Sequence, residues 1–205
     1  DQAAALNKEF QAPLKQKWID FYRFITRDLT TNGVEDAEKV AAWKAEFQDW
    51  FILDAALYYY LFTLRYTMVD NRAKNSFWHY GICPDGKYRF EFWDYDNDTA
   101  LGIDNAGKLE IPFGVEDADT DHSGAPYFRA YDSTFFVRVA KYFENELNDM
   151  WTRIEQNTSL GNAFDSTNFI NEFDVWQSQF PEELWRLDYE RKYKRPYVGG
   201  EGADW

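Results

Sequence analysis

The sequence of 205 residues predicts an α+β fold that is mainly helical, with one or two β-hairpins between the helices. Apolar residues recur at intervals of three and four positions through most of the chain, which is typical of helices that bury one face. In the middle of the chain, two runs rich in aromatic residues flank the turn Pro84-Asp85-Gly86, a pattern typical of a hairpin. Since aromatic residues make up 20% of the sequence, we expect a core built from large rings.

Two amphipathic helices are predicted before residue 54. The first occupies most of residues 1–30, with Pro13 near its start. Its apolar positions at helical spacing are Leu14, Trp18, Phe21, Tyr22 and Ile25. Turn residues 30–33 end this helix, and Asp36 is expected to cap the second one. The second helix carries its apolar residues at Val40, Trp43, Phe47 and Trp50.

A third helix, buried and rich in aromatic residues, is predicted from a boundary near Asp54 to about Thr67. Asp70 then lies just past the end of that helix. Two strands over residues 77–80 and 88–93 form the hairpin that follows. The hairpin is expected to bring the polar residues on either side of it close together.

After a second, smaller hairpin around residues 109–111, the chain is predicted to return to helices. A long helix over residues 133–154 is capped by Asp132-Ser133, a further helix is capped by Asp165-Ser166, and the last one spans residues 182–193. We expect one compact unit, cut from a longer chain, in which a central core with hairpins and acidic loops lies between two helical segments. The three segments are 1–53, 54–132 and 133–205.

The composition excludes some classes of function. A net charge of −14 and a pI near 4.5 argue against binding nucleic acid through a basic surface, and no apolar run reaches the roughly 20 residues that span a bilayer. The single cysteine, Cys83, excludes an internal disulfide and is predicted in a strand or turn. Positive charge concentrates near the C-terminal end, where it either pairs within the chain or docks on an acidic neighbouring subunit. The residues are Arg186, Arg191, Lys192, Lys194 and Arg195.

The order of residues on either side of the hairpin indicates phosphoryl-transfer chemistry. A helix, an Asp with an Asn five residues later, a hairpin and a second Asp on a loop form the layout of a phosphotransferase catalytic lobe. Asp70 would accept the proton of the attacking hydroxyl, and Lys74 would neutralise the transferred charge. Mg²⁺ would be held against the phosphates of ATP by carboxylate and amide oxygens, the ligands that this hard cation prefers. The candidate ligands are Asn75, Asp94, Asp96 and Asp98.

The loop 94–98 also has the alternating acids with which a calcium loop begins. Thr99, however, stands where an EF-hand needs glycine, and Asn105 where it needs a bidentate Glu. Carboxylates this close repel each other unless they are solvated, hydrogen-bonded or bound to a cation. A site for Mg²⁺ or Ca²⁺ and a solvated acidic turn therefore both remain open. His79 is expected to be structural, because no second His or Cys stands at zinc-ligand spacing.

Two short strings carry a resemblance to a known enzyme family. Asp70-x-Arg72-x-x-Asn75 is followed, after the hairpin, by Trp93-Asp94-Tyr95-Asp96. They resemble the CotH family, spore-coat kinases with an atypical protein-kinase fold, whose patterns are Asp-Arg-x-x-Asn and Trp-Asp-x-Asp. In this chain Asn71 stands between the Asp and the Arg, which shifts the family's register by one position. The resemblance implies a helical lobe like the C-lobe of such a kinase, with ATP and Mg²⁺ at the site.

The CotH-like interpretation lacks one part that a kinase needs. Kinases cover the nucleotide phosphates with a glycine-rich loop from a separate β-rich lobe. No such loop precedes Asp70, and helices are predicted there instead. Either the small lobe precedes Asp1 in a longer protein, or the helical lobe survives only as a scaffold.

Longer stretches, residues 66–79 and 94–105, are similar to virion proteins of gut tailed bacteriophages, including crAss-like phages. The similarity continues through Gly114-Val115-Glu116-Asp117 to Asp132-Ser133. It implies a structural tail component of the phage particle, assembled in the host cytoplasm with other tail subunits in an oligomeric ring or complex. We therefore expect a structural virion protein. The alternatives are a CotH-like kinase and a calcium-stabilised carbohydrate-binding or adhesin module, which the aromatic residues and acidic loops suggest.

Overall fold

A computed structural model describes residues 2–68, 70–72, 75–94, 100 and 133–194, with the side chains of 2–11, 70, 94, 185 and 193 excepted. These ranges contain eight α-helices: α1 (Gln2–Thr26), α2 (Ala37–Trp50), α3 (Leu53–Arg65), α4 (Thr134–Tyr142), α5 (Glu144–Gln156), α6 (Thr158–Gly161), α7 (Ser166–Gln179) and α8 (Glu182–Tyr193). Within the same described ranges, four strands pair as two antiparallel hairpins: β1 (Thr30–Thr31) with β2 (Val34–Glu35), and β3 (Ser76–Ile82) with β4 (Tyr88–Asp94).

The predicted α+β class, mainly helical, is confirmed. The predicted hairpin around residues 109–111 lies outside the described residues. Among the helices of the described ranges, none offers the continuous apolar length that a bilayer crossing needs.

Helix α1 begins much earlier than the position of Pro13 suggests. It starts at Gln2, so Pro13 lies in the helix interior, where its ring removes one backbone hydrogen-bond donor. Phe21 and Phe24 form the buried side of α1, whereas Tyr22 is 67% exposed. The predicted apolar stripe is therefore wrong at Tyr22, and it omits Phe24. Both Phe21 and Tyr22 fit helical spacing from Trp18, so spacing alone does not decide which one faces the core.

A short hairpin follows α1, where the sequence predicts only the end of a helix. Asn32 and Gly33 both have positive φ, 55° and 77°, as a type I′ turn between two strands requires. Asp36 then caps α2 by accepting hydrogen bonds from the amides of Glu38 (3.0 Å) and Lys39 (3.2 Å). The predicted cap is confirmed, and the Asn-Gly pair closes a hairpin as well as ending a helix.

Aromatic rings from α1, α2, α4 and β4 form the centre of the core. Phe24 stacks on Trp43 with ring centroids 5.1 Å apart, and Phe21 stacks on Phe90 at 4.1 Å. The indole nitrogen of Trp43 donates to the Phe24 carbonyl oxygen at 3.0 Å, so this buried polar atom is satisfied. The buried rings come from all three predicted segments, so these segments share one core. The predicted boundaries between the three segments stay a prediction. The most deeply buried rings are Phe24, Trp43, Phe47, Phe51, Phe90, Phe135 and Phe136.

The predicted helix over residues 133–154 is wrong in one respect, because it is two helices. The backbone leaves helical geometry at Phe143, where φ is −117° and ψ is 31°. Phe143 is buried, and its ring lies 5.0 Å from that of Phe47 in α2. Lys44 of α2 places its Nζ 4.8 Å from the Phe143 ring centroid and 3.0 Å from Oε1 of Glu146. The turn from α4 into α5 therefore lies against α2.

The C-terminal helices begin where the sequence predicts. Asp165 caps α7 by accepting hydrogen bonds from the amides of Thr167 and Asn168, at 2.7 and 3.2 Å. Helix α8 has the predicted bounds. Ser133 precedes α4 as predicted, but its side chain makes no capping hydrogen bond.

Arg89 fixes the turn of the β3–β4 hairpin and ties it to α2. Its terminal nitrogens donate to both carboxylate oxygens of Asp85, at 2.8 and 2.9 Å, and its Nε donates to the Gln48 carbonyl oxygen at 2.5 Å. The guanidinium, together with the Lys87 amide, lowers the pKa of Asp85 to about 2. Cys83 is buried beside this turn, in agreement with the prediction.

We expect Asp85→Asn to remove a pH-dependent part of the stability. Because the pKa of Asp85 in the folded protein lies below its ordinary value of 3.8, the pair with Arg89 stabilises the native state fully above about pH 4. This contribution is lost as the pH falls from about 4 toward about 2. Thermal unfolding between about pH 5 and pH 2 should therefore show a larger loss of Tm for the wild type than for the variant.

A suitable control is Asp174→Asn, because Asp174 is exposed on α7. This variant should keep the pH dependence of the wild type. If Asp85→Asn and the wild type lose Tm equally on acidification, the Asp85–Arg89 pair does not stabilise the hairpin.

Candidate functional site

The predicted catalytic turn lies where α3 ends. Helix α3 stops at Arg65, and Thr67 has a positive φ of 51°, which redirects the chain. Asp70 then begins a 3₁₀ turn that ends at Arg72. The prediction that Asp70 lies just past the third helix is therefore confirmed.

The hairpin brings the two predicted site segments together. Ser76 pairs with Asp94 in the antiparallel register of β3 and β4. Asn75 precedes Ser76, so it lies at the same end of the hairpin as Asp94. Nδ2 of Asn71 donates to the Asn75 carbonyl oxygen at 3.1 Å, which ties the turn that contains Asp70 to this end of the hairpin. The backbone thus gathers the two segments as predicted.

The side-chain chemistry predicted for this site remains a prediction. Lys74, Asp96 and Asp98 lie outside the described residues, as do the side chains of Asp70 and Asp94. Among the side chains that are described, no three His, Cys, Asp or Glu residues come close enough to hold a metal ion. The structure therefore gives no ligand geometry for Mg²⁺ or Ca²⁺.

Two buried polar residues with no predicted role support this turn. Asn71 and Arg72 have almost no exposed surface. The guanidinium carbon of Arg72 lies 5.7 Å from the centroid of the Tyr60 ring, and the Arg72 carbonyl oxygen accepts a hydrogen bond from the Ser133 amide at 2.9 Å. The turn is therefore fixed between α3 and the start of α4. The CotH-like string contains Arg72 but gives no signal that it is buried.

His79 is part of the hairpin surface. Its ring stacks on that of Trp93, with centroids 5.3 Å apart. The ring also lies over Gly81, where any Cβ would collide with it. This packing agrees with the structural role expected for His79.

Helix α7 carries an aromatic stripe that starts on the folded body and continues into solvent. Phe169, near its start, packs on Tyr66 with ring centroids 4.8 Å apart. Farther along, Phe173, Trp176 and Phe180 are 56%, 62% and 40% exposed. The spacing of Phe173 and Trp176 places them on the same side of the helix as Phe169, and the ring of Phe180, just past the end of α7, stacks on Trp176 with centroids 6.1 Å apart. We call Phe173, Trp176 and Phe180 the α7 stripe.

Helix α8 follows the α7 stripe along the chain and carries one of the predicted C-terminal cations. Arg186 of α8 lies 3.7 Å from Glu183 and 3.8 Å from Glu190, which favours pairing within the chain over docking for this cation. Such exposed pairs contribute little to stability. Arg195 lies outside the described residues. Further exposed apolar side chains on α7 and α8 are Ile170, Val175, Leu184 and Leu187.

We compared the chain with models of protein families, with curated protein sequences and with solved structures, and none of them matches it. The resemblances to CotH-family kinases and to phage virion proteins therefore stay expectations from the sequence.

Proposed function

We propose that the chain is a structural component of a bacteriophage virion, built into the tail, and that it works by binding neighbouring subunits of the particle. The α7 stripe is the observation that carries this proposal. Monomeric proteins rarely expose several large apolar side chains side by side, and aromatic residues are enriched where proteins bind each other. The similarity of residues 66–79 and 94–105 to virion proteins supports this kind of assembly.

The α7 stripe can contribute strongly to such a contact. Burial of one Phe or Trp side chain contributes about 1.5–3 kcal/mol, so burial of all three rings would contribute several kcal/mol before the cost of association is subtracted. Phe169 holds the start of α7 on Tyr66 before any partner binds. The start of α7 therefore needs no ordering on binding, which lowers the entropic cost of the contact.

Phage particles give a direct test. A tagged copy of the chain, supplied while the encoding phage is propagated, should co-purify with intact particles on a density gradient. The double variant Phe173→Glu/Trp176→Glu should be incorporated at least about tenfold less, because two carboxylates would enter an apolar contact. The matched control is Tyr22→Glu, since Tyr22 is also an exposed aromatic residue (67%) on a helix.

Two results would contradict different parts of the proposal. If the wild-type chain is absent from purified particles, the chain is not a virion component. If the double variant is incorporated as well as the wild type, the α7 stripe is not the contact surface. Circular dichroism of each variant shows that it is folded.

A second candidate function, a metal-dependent CotH-like protein kinase, is favoured by the position of Asp94 beside the start of β3. Asp94 and Asn75 lie at one hairpin end, and the turn with Asp70 is tied to that end. In this function Asp70 would act as base and Lys74 would neutralise charge. The ligands that hold Mg²⁺ with ATP would be Asn75, Asp94, Asp96 and Asp98.

Thermal unfolding distinguishes these two functions. The structural role predicts that Mg²⁺ with ATP leaves the Tm unchanged. A ligand at about 100 times its Kd stabilises the folded state by about 2.7 kcal/mol, which would raise the Tm of a chain of this size by about 5–10 °C. A rise of this size that Asp94→Ala abolishes, and that the control Asp174→Ala retains, would favour the kinase. A rise with Ca²⁺ alone would indicate a structural ion site.

A further inference from the structure

A cleft opens where α5 ends and α7 begins. Its walls come from the end of α3, the second half of α5, α6, the 3₁₀ turn of residues 162–164 and the first turns of α7. Its volume is about 440 Å³, which lies within the range of small-molecule sites in proteins. Of the residues that the structure describes, none of the α7 stripe lines it.

The walls of the cleft are fixed by hydrogen bonds to the folded body. Oη of Tyr58 donates to the Leu160 carbonyl oxygen at 3.0 Å, and Oη of Tyr66 donates to the Ala163 carbonyl oxygen. Gly161 brings α6 close to α5, since a Cβ at this position would lie 2.5 Å from the Ile154 carbonyl oxygen. The cleft is therefore formed before any ligand binds, which lowers the entropic cost of binding.

One aromatic ring offers a flat apolar surface in the cleft. Trp151 is 38% exposed, and its ring packs edge-on against the buried ring of Phe164, with centroids 5.9 Å apart and an interplanar angle of 76°. This contact fixes the orientation of the indole. The indole of Trp151 therefore offers a ligand a flat apolar surface in a fixed orientation.

The polar side chains of the cleft include both charge signs and three amides, of which that of Asn157 caps α6. Arg65 and Glu155 are exposed at its edges. Nδ2 of Asn168 donates to Oδ1 of Asn162 at 2.6 Å. Each amide carries a donor and an acceptor, so this bond leaves Oδ1 of Asn168 and Nδ2 of Asn162 to serve a ligand.

This set of groups favours a neutral ligand with many hydroxyl groups. An anion near Arg65 would also meet Glu155 and Asp165, and a cation near those carboxylates would meet Arg65. A hydroxyl can donate to a carboxylate and accept from an amide or a guanidinium, so it matches all of them. We propose that the cleft binds a neutral sugar unit of a glycan, with one face of the sugar on Trp151 and its hydroxyls on Asn162 and Asn168.

The proposed sugar site goes beyond the virion role and does not depend on it. It would hold equally for a free protein, because all of its groups belong to one chain. Its test therefore uses the purified chain alone, without phage particles, so that failure of one proposal leaves the other standing.

The neutral probes are maltotriose, cellotriose, triacetylchitotriose and mannotriose, and glucose 6-phosphate is the anionic comparison. Binding of each is measured by saturation-transfer NMR and by calorimetric titration. We expect at least one of the neutral probes to bind at millimolar concentration or below. Trp151→Ala should weaken that binding at least about tenfold, and Asn168→Ala should weaken it severalfold. The matched control is Trp18→Ala, because Trp18 has the same exposed fraction, 38%, and lies on α1 away from the cleft.

Three results would overturn the sugar site. The first is that none of the four neutral probes binds. The second is that Trp151→Ala and Asn168→Ala bind as tightly as the wild type. The third is that only anionic sugars such as glucose 6-phosphate bind. Asn168→Ala keeps the test informative if Trp151→Ala fails to fold. Circular dichroism of both variants decides which one is used.

Discussion

Burial of aromatic rings between α1, α2, α4 and the β3–β4 hairpin is the interaction on which the rest of the structure depends. Phe51, at the end of α2, lies 4.5 Å from Phe92 of β4 and 5.2 Å from Phe135 of α4, so one ring links three elements. A chain with a single cysteine has no internal disulfide that could replace this packing. Because the hairpin is held against the helices in this way, its open end, with Asn75 and Asp94, has a fixed position next to the turn that follows α3.

The segment from the end of α5 to the start of α7 connects this core to the two surfaces to which we assign binding. Tyr58 lies in α3, and Tyr66 is the residue that caps the C-terminal end of α3. Both hold this segment by donating hydrogen bonds to backbone carbonyl oxygens of the segment. One side of the segment forms the cleft beside Trp151, and Phe169 sets the direction in which α7 leaves the body. A neighbouring subunit on the α7 stripe and a sugar in the cleft would therefore bind different faces of one anchored segment.

Features that depend on nearby residues could be predicted from the sequence, and those that depend on distant packing could not. The caps at Asp36 and Asp165 use side chains and amides within three positions of each other, so a short stretch contains the whole signal. The helix break at Phe143 depends on a ring and a lysine of α2, which no local pattern reports. For the site, the hairpin pattern in the sequence predicts that the two segments flanking the hairpin meet. The burial of Arg72 and the cleft beside Trp151 could not be predicted, because they arise from helices that are distant in sequence.

Amide hydrogen exchange of the isolated chain tests most directly whether the buried aromatic rings form the stable core and whether most of α7 lies outside that core. We predict the slowest exchange in α2 and β4, which surround the buried rings, and exchange at least about tenfold faster in the half of α7 after Phe173, where few apolar contacts oppose local opening. The amides of this half should become protected when the chain is part of an assembled particle. If the amides of α7 in the isolated chain are protected against exchange as strongly as those of α2, α7 belongs to the core. That result would contradict the view that α7 is left outside the core to bind a neighbouring subunit.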